Sequence, residues 1–299
     1  MQTRRRFLQG TLAASAGLTL ASRLPAIDPI QRDGSSFLKL SLAAYSFRKY
    51  LALNQKPKPA WTLDDFIDFG AAQNIDAVEL TAYYFAQTSP DYLAHLKGRC
   101  TRLGLDVSGT AVGNDFCTPD ADKLKKQLDM VKQWVEHTSR LGGKAIRIFA
   151  GNVAKGDSEE NALARCIAAI QEACDYAAKY GIYLALENHG GITATPKQLL
   201  AIVKGVKHDF FGVNLDSGNF HTADPYADLA LIAPYAVNAQ LKTEVSAAGK
   251  KKEEADLKKL VDILREAKYR GYVALEYEAA EEPKEAVPRY LTELKKLLA

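Results

Sequence analysis

The sequence predicts a single-domain (β/α)8 TIM barrel, and three observations carry that prediction. Eight short apolar runs begin near Leu38, Ile75, Leu105, Ala145, Ile182, Phe211, Ala236 and Tyr272, and each has the length and apolar character of a parallel strand buried on both faces. Helical patterns, opened by capping residues and closed by glycines, fill most of the gaps, so strand and helix alternate. Four of the runs end on polar residues. Glu187 closes Ile182-Tyr-Leu-Ala-Leu-Glu, Asp216 closes Phe211-Gly-Val-Asn-Leu-Asp, Gln240 lies in Ala236-Val-Asn-Ala-Gln-Leu-Lys, and Glu276 lies in Tyr272-Val-Ala-Leu-Glu. Parallel strands point the same way, so residues leaving their C-terminal ends converge.

The elements follow in order along the chain. The first strand runs into Ala43-Ala-Tyr-Ser-Phe-Arg and not into the Gly-rich phosphate loop of a doubly wound open sheet, which favours the barrel. Thr62 with Asp65 and Ser158 with Asn161 offer capped first turns, while Ser89-Pro90, Thr118-Pro119 and Thr195-Pro196 place an N-cap hydroxyl before a proline at the first helical position. Gly104, Gly142-Gly143, Gly181 and Gly271 mark helix ends just before the next strand. Between Asp216 and Ala236 only Pro225 to Ala233 can be helical, and Lys250-Lys-Lys-Glu-Glu-Ala is expected to begin the seventh helix as a solvated start. No linker or composition shift divides the chain after residue 37. The expected organisation is a signal over residues 1–26, a linker over 27–37 and a barrel over 38–299.

Composition narrows the function classes. With 299 residues, 47% hydrophobic and 25% charged, the chain is ordinary globular protein with core enough for one large domain. Its net charge of +3 falls to −1 once Arg4, Arg5, Arg6 and Arg23 of the N-terminal segment are set aside, so no basic surplus points to nucleic acid. That segment reads Thr3-Arg-Arg-Arg-Phe-Leu-Gln followed by an apolar stretch from Gly10 to Ala21. It is an export signal in pattern, too short and too rich in Ala, Ser and Thr to span a bilayer. The paired arginines before Phe-Leu resemble the twin-arginine signal, which implies the twin-arginine translocase as a partner and a periplasmic or otherwise exported location. Cys100, Cys117, Cys166 and Cys174 form no Cys-x-x-Cys pair and read as buried thiols, with a Cys100–Cys117 disulfide left open. No sequence pattern sets the oligomeric state.

Three acids and one amide converging at a barrel mouth would carry a high negative charge unless a cation were bound, so Glu187, Asp216, Gln240 and Glu276 are the expected ligands of a metal ion. Glu79 in Ala77-Val-Glu-Leu, Arg147 in Ile146-Arg-Ile-Phe and Lys242 fall at the same mouth. Arg147 and Lys242 suit sugar hydroxyls, a carboxylate or an enolate oxygen, and an internal Glu79–Arg147 ion pair competes with that reading. His189 and His221 could complete a metal shell or bind substrate. Tyr45, Phe47, Tyr83, Tyr84 and Phe85 offer an aromatic wall for a sugar ring.

From about Leu38 to Leu298 the sequence resembles the xylose isomerase-like barrel superfamily of sugar isomerases and epimerases, which also contains endonuclease IV and the metal-dependent subunits of C-glycoside-cleaving enzymes. The motifs are Leu184-Ala-Leu-Glu-Asn-His-Gly-Gly191, Val213-Asn-Leu-Asp-Ser-Gly-Asn219 and Val273-Ala-Leu-Glu-Tyr-Glu278. The resemblance implies a divalent ion held by Glu187, Asp216 and Glu276, with Gln240 where the family usually has histidine and with Leu241-Lys242 fitting its His-x-Lys pattern. An all-oxygen shell suits Mn²⁺ or Mg²⁺ better than Zn²⁺. It further implies that Glu187 and Glu276 exchange protons with a small sugar through an enediolate, making the protein a metal-dependent isomerase or epimerase. A lyase or hydratase acting on a 3-keto-glycoside would use the same glutamates. The reading from another class is a catalytically silent carbohydrate-binding barrel, which the Gln240 departure makes plausible.

Overall fold

Eight parallel strands close on themselves in the computed structural model, which describes residues 28–54 and 59–299. They are β1 (Phe37–Ala43), β2 (Ala77–Thr81), β3 (Asp106–Ala111), β4 (Ala145–Ile148), β5 (Tyr183–Glu187), β6 (Phe211–Asp216), β7 (Ala236–Leu241) and, after a two-residue antiparallel pairing of β8 (Glu244–Val245) with β9 (Glu253–Glu254), the last barrel strand β10 (Arg270–Leu275). β10 pairs in parallel with both β7 and β1, so no edge is left. The expected export signal lies outside the described residues.

The helices ring the barrel: the single turn α1 (Arg48–Leu51), then α2 (Leu63–Ala72), α3 (Pro90–Arg102), α4 (Ala121–Leu141), α5 (Glu159–Ala177), α6 (Pro196–Gly205), α7 (Pro225–Ile232), α8 (Leu257–Glu266) and α9 (Pro283–Leu298). Their buried faces join the outward residues of the strands, such as Val78, Ile146, Leu184, Leu186 and Val213, in one apolar core. Because side chains alternate along a strand, the neighbours of these residues point into the barrel. Ser41 of β1 and Ser108 of β3, two strands apart, meet there with their hydroxyls 2.9 Å apart. Across the barrel's N-terminal end runs the segment before β1, where the Ile30 amide donates to the Pro234 carbonyl at 3.0 Å.

Helix starts follow the capping chemistry, with differences. Thr62 and Asp65 form a capping box, and Ser89, Ser158 and Thr195 accept from the backbone N–H three residues on. The Thr118-Pro119 start is displaced: Asp120 caps α4 through the Lys123 amide, because a carboxylate two residues later accepts that bond in place of the threonine hydroxyl. Gly104, Gly142 and Gly181 adopt positive φ as expected, whereas Gly271 lies inside β10 and the left-handed turn before it falls on Lys268, at φ 53°. Lys250–Lys252 do not begin a helix either. They precede β9, and Asp256 caps α8 by accepting from the Lys259 amide. All four cysteines are buried and free, so the Cys100–Cys117 disulfide does not form.

One glycine is required by the barrel's closeness. A Cβ on Gly109 of β3 would lie 2.6 Å from the Ala145 carbonyl oxygen of the neighbouring β4, and backbone in a closed sheet cannot give way cheaply. Gly109→Ala should therefore lower unfolding free energy by about 1–3 kcal/mol. Gly98→Ala, within α3 and crowding only the flexible end of Arg102, should raise it by up to about 1 kcal/mol. Paired urea titrations check both signs.

Candidate active site

The C-terminal end of the barrel holds a cavity of about 250 Å³ whose rim carries Glu187, Glu276, Glu278, Arg147, Lys242 and Asn219, with Tyr45, Tyr83, Phe149 and His189 as its walls. Glu187 ends β5 and is held from two sides. Arg147 of β4 brings its Nε to 2.9 Å of Glu187 Oε2, both side chains being almost wholly buried, and Asn219 Nδ2 donates to Glu187 Oε1 at 2.8 Å. Arg147 is fixed in turn by donating to the Val112 carbonyl at 3.0 Å and by lying 4.0 Å over the Phe149 ring. Burial raises the Glu187 carboxyl well above its ordinary value, Arg147 opposes this, and the carboxylates of Asp216 and Glu276 add to the rise. Arg147 stays charged, because Glu187 and the surrounding anions outweigh its own burial.

Lys242, just past β7, sits among the remaining acids. Its Nζ lies 2.9 Å from Glu276 Oε1 and 3.2 Å from Asp216 Oδ2, and it also contacts Glu278 Oε1. Burial would lower its pKa, but Asp216, Glu276, Glu278 and Glu187 raise it well above the ordinary value, so the ammonium is charged. Asp216 is pushed up to about 6 by burial, with Lys242 opposing and Glu276 adding.

Beneath this mouth lies a layer of amides. Glu79 is fully buried and accepts from Asn238 Nδ2 at 3.0 Å and from Gln240 Nε2 at 2.6 Å. The other end of Gln240, its Oε1, accepts from Asn214 Nδ2 at 2.6 Å. Burial first, and the Glu276 charge second, raise Glu79 from 4.5 to about 7. The competing Glu79–Arg147 ion pair is thereby replaced: the arginine pairs with Glu187, and Glu79 is held by neutral amides. The period of two along a strand explains the layering, because Asn214 and Asp216 on β6, like Asn238 and Gln240 on β7, share the inward face.

These contacts test whether the residues fit a divalent ion, and as folded they do not. Gln240 spends both ends of its amide on Asn214 and Glu79, the Lys242 ammonium stands between the carboxylates of Asp216 and Glu276, and among the described residues no group of three His, Cys, Asp or Glu is placed to hold a metal.

The expected site residues separate accordingly. Tyr45, Arg147, Glu187, His189, Lys242 and Glu276 line one cavity; Asp216 lies just below it; Glu79 and Gln240 belong to the amide layer. His189 packs on Phe149 at 4.2 Å, and burial together with Arg147 and Lys242 lowers its pKa, leaving a neutral imidazole. His221 does not line this cavity, although the hollow it borders shares Asn219, Lys242 and Glu278 with it. It lines a smaller adjoining hollow, with Nδ1 3.1 Å from the Ser246 carbonyl oxygen. Of the aromatic cluster, Tyr45 and Tyr83 reach the cavity, while Phe47 stacks on Trp61 at 4.7 Å in the core and Tyr84 and Phe85 are buried. Glu278, Asn219 and Phe149 are mouth residues that sequence reasoning did not single out. Glu278 and Asn219 stood within quoted motifs, Glu278 two residues past Glu276, and period two alone could have placed that glutamate on the same side. A larger cavity of about 680 Å³ opens at the opposite, N-terminal end, beside Arg32, Lys207 and Arg270, the end that on this fold serves stability rather than chemistry.

Comparison with known proteins agrees with this architecture. The family model described as xylose isomerase-like TIM barrel matches residues 67–297. The chain belongs to that family. No curated protein matches this xylose isomerase-like barrel in sequence. Among solved structures it is similar to a xylose isomerase domain protein from Planctomyces limnophilus (15% identity, TM-score 0.66, covering 89% of this chain and 96% of that one). A D-allulose 3-epimerase from Methylomonas sp. is similar at 17% identity and TM-score 0.67, covering 88% and 98%. The probable 3-DHS dehydratase AsbF from Bacillus anthracis matches at 16% identity and TM-score 0.63, covering 87% and 98%. At these identities the likeness is one of fold.

Two predictions follow from the charges of this xylose isomerase-like site. Arg147→Met leaves the Glu187 carboxylate buried without its cation and should cost about 3–5 kcal/mol in urea unfolding at neutral pH, whereas Arg289→Met, which breaks the exposed pair with Glu281, should leave the urea midpoint nearly unchanged. Glu79 binds its proton more tightly folded than unfolded, so its contribution to stability is greatest below pH 4.5 and falls as pH rises to about 7. Glu79→Gln removes that dependence. Wild-type stability minus that of the variant should therefore fall by a few kcal/mol from pH 5 to pH 8, and a rise in that difference would contradict the assignment.

Proposed function

We propose that this barrel is a sugar isomerase or epimerase that removes a proton next to a carbonyl and passes through an enediolate. The observation that carries the reading is the pairing of Glu187 and Glu276 across a small polar cavity, Glu187 held by Arg147 and Glu276 by Lys242, which it shares with Asp216 and Glu278. At about 250 Å³ the space lies below the ~300–1,000 Å³ of drug-sized pockets and suits a monosaccharide. β5 and β10 are separated around the barrel by β6 and β7, so the two glutamates reach a ligand from different sides. One carboxylate takes the proton from the carbon, the electron pair moves to the carbonyl oxygen, and the other glutamate, in its protonated form, gives its proton to the opposite face and is left as the carboxylate. Burial favours the protonated form of Glu187 and so strengthens it as a base. The epimerases among similar folds, including an L-ribulose 3-epimerase and a D-psicose 3-epimerase, support the same class.

A second reading has one observation behind it. A protein of similar fold is described as a probable 3-DHS dehydratase, and in this site the same proton abstraction would lead to elimination or hydration on a 3-keto sugar if the ligand carried a leaving group beside the enediolate. Export, proposed from the Arg4-Arg5 signal, favours free or oxidised sugars over phosphorylated ones. The Mn²⁺ or Mg²⁺ that family resemblance implies would have to displace Lys242 from Asp216 and Glu276.

Solvent deuterium exchange into aldoses, ketoses and 3-keto sugars, read by mass spectrometry, tests the reading. Wild type should label at least one sugar at the carbon next to its carbonyl, and Glu187→Gln and Glu276→Gln should each slow labelling by about 10²–10⁴-fold. Unchanged exchange in both variants would remove the glutamates from the chemistry. Sugar binding with no exchange would leave a carbohydrate-binding barrel.

A further inference from the structure

We infer that the Lys242 ammonium is the resident cation of the mouth, and that it, in place of a divalent ion, receives the carbonyl oxygen of the substrate. The inference deepens the proposed isomerase or epimerase reading and rests on it for the identity of the ligand. Four observations support it. Lys242 Nζ lies 3.2 Å from Asp216 Oδ2 and 2.9 Å from Glu276 Oε1 and touches Glu278 Oε1, so it fills the point to which three acids converge. The aliphatic stem has a place built for it: a Cβ on Gly218 would come 2.6 Å from Lys242 Cδ and 3.1 Å from its Cβ, so only glycine at 218 leaves room for the stem. The backbone under the stem is fixed, because the Lys242 amide donates to Ser217 Oγ at 2.7 Å. The fourth donor that an ion would need is withdrawn, since Gln240 Oε1 accepts from Asn214 and Gln240 Nε2 donates to Glu79.

The chemistry follows from counting donors. An ammonium has three N–H groups and no acceptor, and here three carboxylates face them. Glu278 is the replaceable partner: its side chain is 28% exposed, against 0% for Asp216 and 7% for Glu276, and it borders both the cavity and the adjoining hollow. A carbonyl oxygen entering the cavity takes the N–H that Glu278 releases. When the α-proton leaves to a glutamate, the electron pair settles on that oxygen, and the fixed positive charge beside it stabilises the enediolate as oxyanion-hole donors do.

The experiment uses the mature full chain, dialysed against EDTA and then incubated with Mn²⁺ alone, beside Lys242→Met and Lys242→Gln. Calorimetric titration and thermal unfolding report Mn²⁺ binding, and deuterium exchange into the sugar panel reports activity. Wild type should show no stoichiometric Mn²⁺ binding, no Mn²⁺-dependent rise in Tm and exchange unaffected by EDTA. Both Lys242 variants should lose exchange by about 10²–10³-fold, and removal of the ammonium should allow them to bind Mn²⁺. Stoichiometric Mn²⁺ on the wild type, with exchange lost in EDTA and restored by the metal, would overturn the inference and leave the isomerase reading standing. Absence of exchange in every sample, with Mn²⁺ bound only by the variants, would overturn the isomerase reading and keep Lys242 as the cation. The wild-type measurements decide the question even if the variants fail to fold.

Discussion

Everything at the mouth depends on keeping carboxylates charged on side chains that are almost wholly buried. Glu187, Asp216 and Glu276 are each at most 6% exposed, and an isolated charge at that depth costs several kcal/mol or picks up a proton. The protein answers with two cations of different kinds. Arg147, planar and stacked on Phe149, secures Glu187 from β4; Lys242, its stem packed against Gly218, serves Asp216, Glu276 and Glu278 together. The balance is incomplete, and the upward shifts of Glu187 and Asp216 record the deficit. In the proposed reaction that deficit would help: a carboxylate that holds its proton more tightly takes one from carbon more readily.

The layer beneath does different work. Asn214, Asn238 and Gln240 link into one chain of amides ending on Glu79, with the Asn238 Nδ2 also donating to Asn214 Oδ1 at 2.8 Å. Amides satisfy a buried carboxyl without adding charge, so Glu79 can sit fully enclosed near neutrality while the mouth above carries the ionised groups. Such a network also fixes the ends of β6 and β7 relative to each other, which sets the position of Asp216 against Lys242.

Much of this was legible in the sequence, and the reasons for the rest are physical. Strand runs and caps are local signals: the expected start at Phe211 and the Pro225 helix coincide with β6 and α7, because apolar continuity and capping chemistry act within a few residues. Thr118, Gly271 and Lys250 misled for the same local reason, each a residue type suited to a role that a neighbour took instead. The polar residues at the mouth were readable as converging, since strand direction alone places Glu187, Asp216 and Glu276 together. Which partner each takes was not. Whether Arg147 meets Glu79 or Glu187, and whether Gln240 looks up at the mouth or across at Asn214, turns on strand order and on registers such as Asp216 opposite Gln240, which no single stretch of sequence encodes.

A tethered ammonium and a captured divalent ion impose different demands on the rest of a site. A divalent ion brings greater charge and a coordination geometry that orients two neighbouring oxygens at once. An ammonium brings unit charge and three rotatable donors with little preference of direction, so orientation must come from the surroundings. The mouth supplies it: Tyr45 and Tyr83 on one side, Phe149 with His189 packed against it on the other, and Asn219 fixed on Glu187. His189, neutral because burial and the two cations depress its pKa, can give or take a hydrogen bond without adding charge to the balance. On the proposed mechanism selectivity would reside in the walls more than in the cation, and the partly exposed Glu278 would set how readily an oxygen reaches Lys242. Specificity for one sugar would then change with Tyr45, Tyr83 and His189, while the ability to enolise at all would follow Lys242 and the two glutamates.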